Sequence, residues 1–365
     1  MKKIVFAGSH GATTAVSIIQ ELKKIKPINW QISWIGARRA FEGIDRKPFE
    51  ARLFPKLGVA YYSVDAGRLQ MKFSVWTLPA ILKVPYGLIQ AYFLMRKIKP
   101  DVVFSLGGSV GFLACLCGFL LRTRVLVHEQ TFAAGRANLL SSPFATKILL
   151  ARGESGTFFP KRKTVLVGNP IRKSIKRVKP KRSIGNPPVL LVLGGSRGSK
   201  VLNKLLEQIL PELLKNYHII HQTGELDYGR FLTLRQSFDK SATQKYKVVA
   251  FIKDVAQTYI NSDIIVSRAG ANIVSEIMAV HRPAVLIPIP WTYKDEQVIS
   301  ARIAQNCGIS VTLNQNKISP GRLLKTIEIV RSNWQGMANS SVGKYTKLDF
   351  YSSRLICKII LSSLA

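Results

Sequence analysis

Acidic residues are scarce in this sequence: twenty Asp plus Glu stand against fifty-four Lys plus Arg in 365 residues, a formal net charge of +34. A field of that sign favours anionic partners, namely nucleic acid, an anionic membrane face or phosphorylated substrates. The nucleic-acid signatures are missing, with no paired Cys/His finger, no basic region running into heptads and no aromatic-glycine RNA-binding motif, so no nucleic-acid partner is expected. Cysteine is scarce as well. Cys115, Cys117, Cys307 and Cys357 make no disulfide framework, and the first two lie in the apolar run "GFLACLCGFLL" with no second pair at metal-ligand spacing. They read as buried thiols in a reducing compartment, with no metal implied. Long uninterrupted apolar runs are also lacking. The N-terminal "MKKIVFAGSHGATTAVSIIQEL" starts like a signal peptide but breaks at Gly8 and contains His10, so it reads as a first strand of a cytoplasmic protein. The longest apolar segment, "VWTLPAILKVPYGLIQAYFLM", is interrupted by Pro79, Lys83 and Pro85, which favours a buried or interfacial helix pair over a membrane span.

What is present is a series of short β-branched runs, each followed by glycine or a polar turn and then a helical pattern: "KKIVFAG", "INWQISWIGA", "PDVVFSLGG", "TRVLVHEQ" and "TKILLA". All-apolar strands alternating with helices imply a parallel sheet buried on both faces. A second series follows, "PVLLVLGGSRGS", "YHIIHQTG", "YKVVAFI", "DIIVSRAGA", "PAVLIPIP" and "ISVTL". Two α/β sheets in tandem suit the chain length. Between the series, Lys161 to Arg182 carries ten basic residues and no acid, which reads as a solvated linker except at "VGNPIR", where Asn169-Pro170 forces an extended turn and Arg172 emerges after it.

Three polar loops follow strands of the second series. "LVLGGSRGSKVLNKLL" is strand, glycine turn and helix, with Ser196 expected at the helix N-terminus, where N–H groups and the helix dipole attract phosphate. It has neither the Walker ending nor G-x-G-x-x-G spacing. "SRAGANIVSE" repeats the device: Gly270 permits the turn, Ala271 and Asn272 bring backbone close, and Ser275 and Glu276 fall inside the first helical turns. There a carboxylate could accept hydrogen bonds from a diol such as ribose, or simply favour the helix start. "IPIPWTYKDEQ" adds Asp295, Glu296 and Gln297. Loops at the carboxyl ends of strands in one sheet converge on the edge where open α/β folds bind ligands.

In this order the motifs resemble the MurG-type glycosyltransferases, which add N-acetylglucosamine to the muramoyl-pentapeptide lipid carrier of peptidoglycan synthesis. "VLLVLGGSRGS", "HQTGE", "AFIKD", "SRAGANIVSE" and "KDEQ" carry the likeness in the second half; "VVFSLGGSVG", "VLVHEQTFAAGRAN" and "VGNPIR" carry it in the first. The resemblance implies GT-B architecture, two Rossmann-like domains facing across a cleft. Residues 1–165 would form the acceptor and membrane-facing domain and 166–344 the UDP-sugar domain, with a C-terminal helix, 345–365, packing back on the first. It implies UDP-N-acetylglucosamine as donor, with Ser196 on the nucleotide, Arg172 after the Asn-Pro turn, and the backbone of Ile252 on uracil. Ala271, Asn272, Ile273, Val274, Ser275 and Glu276 would wrap the nucleotide with Glu276 on ribose, and Gln297 would hold the sugar hydroxyls. His10, Gly11, Ala12 and Thr131 match donor-side positions of the N-terminal loops. No cofactor or metal is implied, because helix dipoles and the basic field can neutralise the diphosphate.

The N-terminal loop departs from the family's Gly-Gly-Thr-Gly-Gly-His. Here "GSHGAT" puts His10 at the threonine position, Ala12 at a glycine and Thr13 at the histidine, while Thr131 replaces an asparagine after "HEQ". A base must still take the acceptor hydroxyl proton, and His10 and Glu129 are the two candidates. His128, at the end of a buried run, reads as a structural residue. A related transferase using another lipid or glycan acceptor, or a nucleotide-sugar-binding protein without catalysis, are the other readings of the altered loop. A lipid-linked muramoyl-pentapeptide acceptor would require peripheral docking on the anionic cytoplasmic face of the cell membrane. Trp76, Leu78, Ile81, Leu82, Val84, Tyr86 and Leu88 are the apolar candidates for that contact, flanked by Lys83, Arg96, Lys97 and Lys99.

Overall fold

Runs of Val, Ile and Leu with both faces buried build two all-parallel sheets. The computed structural model describes residues 1–9, 11–39, 48–67, 77–195, 198–340 and 342–364, except for the side chains of 77–82 and of Lys344. His10, Ser196 and Trp76 therefore lie outside the described residues, as do the side chains of Leu78, Ile81 and Leu82.

The first sheet contains β1 (Lys2–Ala7), β2 (Trp30–Ala37), β3 (Ala60–Val64), β4 (Val102–Ser105), β5 (Arg124–Glu129), β6 (Lys147–Leu150) and β7 (Thr164–Leu166), in the order β3-β2-β1-β4-β5-β6-β7. The second contains β8 (Val189–Leu193), β9 (His218–Gln222), β10 (Tyr246–Val249), β11 (Ile264–Ser267), β12 (Ala284–Leu286) and β13 (Ser310–Thr312), in the order β10-β9-β8-β11-β12-β13. Counted from its own first strand, each sheet begins 3-2-1-4-5-6, the doubly wound order. Its chain reverses direction of travel between β1 and β4 in one sheet and between β8 and β11 in the other, and such switch points are where open α/β sheets open a crevice for ligands.

The chain divides into two compact units, Met1–Arg172 with Leu348–Ala365, and Lys173–Lys347. In the first, the helix Gly343–Ser362 lays Ile356, Cys357 and Ile360 into the core of Phe6, Trp34 and Phe104. Its seventh residue, Asp349, is held by a bidentate ion pair with Arg152 at 2.6 Å for each bond, with both side chains buried. In the second unit, the helix Lys200–Asn216 presents Leu202, Leu206, Leu210 and Leu213 at helical spacing to β8 and β9.

Three local features differ from the sequence expectation. β3 carries only one buried residue, Val64, so this edge strand lacks the apolar run that marks its neighbours. The basic stretch expected as a linker contains β7, paired in register with β6, and the short helix Lys173–Lys176. The segment expected as an interrupted helix pair is one helix, Thr77–Ile98, with Pro85 inside it. Its buried stripe, Gly87, Ala91, Met95 and Ile98, recurs at helical spacing on the C-terminal side of the proline, and this packing offsets the missing hydrogen bond. Among the described residues no helix is long and apolar enough to cross a membrane.

Candidate functional site

In the second unit the switch point is built by the loops after β8 and β11. Gly198 has φ +77°, and a Cβ there would lie 2.3 Å from the carbonyl oxygen of Thr223, so only glycine lets the loop after β8 rest on the loop after β9. The Gln222 amide donates to the Gly195 carbonyl at 2.8 Å and fixes the loop from below. The helix cap is Ser199, whose hydroxyl accepts from the Leu202 N–H; the expected Ser196 precedes the cap by three residues and lies outside the described residues.

A buried polar network holds this floor in place. The Asn203 amide nitrogen donates to Thr223 O at 2.9 Å and to Asp227 Oδ2 at 2.6 Å. Its oxygen must then accept from His221 Nε2 at 3.0 Å, which leaves His221 Nδ1 to accept the Tyr246 hydroxyl at 2.8 Å. Burial, and secondarily the charge of Arg230, pushes the His221 pKa down to about 3, so the imidazole is neutral.

Arg268, the residue directly after β11, bridges the loops after β8 and β12. Its Nε donates to Ser199 Oγ at 3.0 Å and its Nη1 to Ile287 O at 3.1 Å and Gln315 Oε1 at 2.7 Å. Burial lowers its pKa to about 10, which leaves it charged at neutral pH. All these acceptors are neutral, and among the described residues no carboxylate pairs with Arg268. An uncompensated cation thus sits beside a helix N-terminus, a setting that favours a bound anion.

The helix Ala271–Val280 starts from Gly270, which has no side chain to cap it, and a helix N-terminus of this kind suits an anion. Ala271, Asn272 and Ile273 are half-buried there, and Val274 and Ser275 are buried. The Ser275 hydroxyl donates to Ala271 O at 2.9 Å. Glu276 is the sixth residue of the helix and so stands in its second turn, one turn later than a dipole-stabilising carboxylate. Its Oε2 accepts the Tyr259 hydroxyl at 2.9 Å, and the side chain remains half-buried. Ile252 is buried between β10 and the helix Val255–Asn261, and neither its N–H nor its C=O makes a backbone hydrogen bond among the described residues. Gln297, the second residue of the helix Glu296–Asn306, accepts from Ile289 N–H at 3.1 Å through its side-chain oxygen, so its NH2 is the end left to meet an acceptor.

The first unit closes its polar groups on one another. Glu129, at the end of β5 and only 1% exposed, accepts from Thr131 N–H (2.9 Å) and Thr131 hydroxyl (2.7 Å) on one oxygen, and from Gly135 N–H (2.9 Å) and Asn138 (2.9 Å) on the other. This carboxylate, expected as a possible base, is occupied as the organiser of its own loop, and Thr131 has spent its proton on it. His128 donates from Nε2 to Gly168 O at 3.2 Å, and burial, aided by the nearby charge of Arg152, lowers its pKa to about 4. Gly168 O also accepts from Ser352 at 2.8 Å. Gly11, at φ +94°, starts the helix Ala12–Leu22; a Cβ there would come within 3.0 Å of Gln130 Nε2, so the two loops touch, and Ala12 is buried behind it. Arg172 is half-buried at the end of this stretch. Sequence reasoning missed Gln222, Asn203 and Gln315; the only signal was the "HQTG" string itself, since a hydrogen bond to a glycine carbonyl leaves no mark in spacing.

Two doubly wound parallel sheets, with glycine turns at both switch points, define the GT-B class of nucleotide-sugar enzymes. Residues 8–150 match the glycosyltransferase family 28 N-terminal domain and residues 189–347 its C-terminal domain. A transferase of Bacillus cereus, named UDP-N-acetylglucosamine--N-acetylmuramyl-(pentapeptide) pyrophosphoryl-undecaprenol N-acetylglucosamine transferase 2, is 30% identical over 352 residues, covering 94% of this chain and 96% of its own. A Clostridium kluyveri transferase with the same name but without the final 2 is 32% identical over 336 residues, covering 90% of this chain and 91% of its own. Among solved structures, MurG of Acinetobacter baumannii superposes with a TM-score of 0.71 at 25% identity, over 99% of this chain and 100% of that one. A UDP-GlcNAc 2-epimerase from Neisseria meningitidis, at 15% identity and TM-score 0.68 over 99% and 100%, shares the fold. The chain belongs to glycosyltransferase family 28 and, within it, to the MurG-type transferases.

Proposed function

We propose that this chain is an inverting glycosyltransferase that moves N-acetylglucosamine from UDP-N-acetylglucosamine to a lipid-linked muramoyl-pentapeptide. The observation that carries the reading is full-length identity of 30% or more to transferases named for that reaction. The local chemistry supports it. The backbone N–H and C=O of Ile252 suit the imide edge of uracil, Glu276 suits a ribose diol, the N–H groups of 271–273 and Ser196 suit the diphosphate, and the Gln297 amide suits a sugar hydroxyl oxygen. Arg268, held among neutral oxygens, stabilises the negative charge that grows on the departing UDP. Arg172, Gly11, Ala12 and Thr131 complete the donor-side set.

The acceptor hydroxyl attacks the anomeric carbon from the face opposite UDP, and its proton passes to a base. His10 takes that role in this reading, because the four donors on Glu129 leave that carboxylate committed to its loop. Alignment of the two substrates supplies the remainder of the rate.

Docking on the anionic cytoplasmic face of the membrane, without spanning it, follows from a lipid-linked acceptor. On the helix Thr77–Ile98, Tyr86, Ile89 and Phe93 are 56%, 56% and 63% exposed on one face, with Arg96, Lys97 and Lys99 beyond them. Each basic residue near an anionic surface contributes about 1 kcal/mol. Purified protein given UDP-N-acetylglucosamine and a lipid-linked muramoyl acceptor forms the lipid-linked disaccharide. Release of UDP without disaccharide points to another acceptor, and UDP binding without turnover to a protein that has lost catalysis.

A further inference from the structure

We infer that Tyr259 is a positioning residue for the donor's ribose: its hydroxyl holds Glu276 in place, and that hold sets how well the site separates UDP from 2′-deoxy-UDP. The inference rests on the proposed contact between Glu276 and ribose and adds what gives that contact its selectivity. Tyr259 is fully buried in the helix Val255–Asn261, and its hydroxyl donates to Glu276 Oε2 at 2.9 Å. Glu276 itself belongs to the next helix, Ala271–Val280.

The tyrosine is fixed at both ends. Its carbonyl accepts from Arg282 Nε at 3.1 Å, and the same buried guanidinium donates to Ser262 O at 3.0 Å and, through Nη1, to Val280 O at 2.7 Å. Arg282 thus ties the end of the helix that carries Tyr259 to the end of the helix that carries Glu276. The phenol makes a second tie between the same helices, one turn before Val280. Neither helix can slide along the other without breaking a bond to a buried group. At its N-terminal end the helix Val255–Asn261 is capped by Asp254, which accepts from Gln257 N–H at 2.9 Å, and Ile252 comes two residues before that cap. In the proposed site the same strut therefore sets the distance from the uracil contact to the ribose contact.

A half-buried glutamate on a helix has several rotamers open to it, and ordering one of them on binding costs side-chain entropy. A bond made before the ligand arrives leaves less of that freedom to lose. Selectivity follows from the same restraint. A site built to bond a hydroxyl rejects the analogue that lacks it because its own polar group is left unpaired. A carboxylate free to swing into water would escape that penalty, and one held by Tyr259 cannot. A carboxylate offers about four acceptor sites, more than one phenol takes up, so the tie is compatible with gripping a cis-diol.

The test is calorimetric titration of UDP and of 2′-deoxy-UDP into wild type, Tyr259→Phe and Glu276→Ala. Wild type binds UDP about tenfold more tightly than the deoxy analogue, the size of one lost hydrogen bond to a charged group. Tyr259→Phe keeps the ring in its packing, weakens UDP about fivefold and the analogue little, and so brings the ratio down to about two. Glu276→Ala removes the selectivity, and adding Tyr259→Phe to it changes UDP affinity no further. Both ligands are titrated into one preparation, so a partly unfolded sample lowers the stoichiometry and leaves the ratio. Should Tyr259→Phe fail to fold, Tyr259→Met, which also lacks the hydroxyl, takes its place with the same expected loss. A wild-type ratio in the Tyr259 variant, with selectivity lost only in Glu276→Ala, would overturn the inference and leave the ribose contact standing, even if the thermal midpoint fell. No selectivity in wild type, or a wild-type ratio in Glu276→Ala, would instead remove Glu276 from ribose and take the inference with it.

Discussion

At the end of β5, Glu129 accepts from four donors and is shut off from solvent. Just after β11, Arg268 is bound among the described residues only to neutral oxygens, and the helix after it starts from an uncapped glycine. Both are charges at the carboxyl edge of a doubly wound sheet, Glu129 buried and Arg268 half-buried. One has its counter-groups built in, and its removal should cost stability. The other has no carboxylate partner among the described residues, and its surroundings should show themselves through ligand affinity. The difference teaches that occupied hydrogen-bond capacity, more than position on the sheet edge, separates a scaffold group from a ligand group.

The comparison breaks most visibly at the base. His10→Ala should lower kcat by about 10²–10⁴ with UDP affinity retained, the usual cost of losing a general base. Glu129→Gln should instead lower the thermal midpoint, and whatever activity survives should keep the wild-type pH profile. Loss of a pH limb in Glu129→Gln, with the fold intact, would exchange the two roles. Next in size is the ion pair of the first unit. Asp349→Ala strands the buried Arg152 guanidinium and should destabilise that unit by about 3–5 kcal/mol in urea denaturation, with UDP affinity in the surviving folded fraction unaltered. In the second unit the pattern should invert: Glu276→Ala should weaken UDP binding by about 1.5–3 kcal/mol, roughly ten- to a hundredfold, with little change in midpoint. Calorimetry showing wild-type affinity would remove Glu276 from the nucleotide.

The smallest effect concerns a histidine in each unit. His128 and His221 have folded-state values of about 4 and about 3, both below the unfolded value of about 6.5. The unfolded chain therefore binds more protons, so their contribution is complete above about pH 6.5 and is lost as pH falls toward 4 and 3. Each should take away about 1 kcal/mol per pH unit between pH 6.5 and 5, and His128→Gln or His221→Gln should flatten the denaturation profile by one proton. An unchanged slope would mean that the imidazoles are not held neutral.

The sheets were legible because a strand buried on both faces needs a continuous apolar run, as in "VLLVL" and "DIIVS". β3 escaped because an edge strand buries one residue in five, and β7 because its three residues are embedded in lysines and arginines whose charge reads as solvent. Pro85 suggested an interruption, but the helix continues through it, and the buried stripe from Gly87 to Ile98 outweighs one lost hydrogen bond. At the site, the glycine turns announced where backbone could approach a ligand. The partners that decide each polar group's role did not: Asn138 comes nine residues after Glu129, and Gln315 comes forty-seven after Arg268. Neither separation follows a helical or strand period. Ser196 was the expected residue at the helix start, and the helix is instead capped three residues later by Ser199, where the chain's path over Thr223 has brought it.

Hydrogen exchange with and without UDP tests most directly the claim that the second unit holds the nucleotide. Backbone amides around residues 250–254 and 268–277 should exchange more slowly with UDP bound, while those at 4–9 and 126–136 keep their rates. Protection confined to the loops of the first unit, or none in the second, would contradict the account.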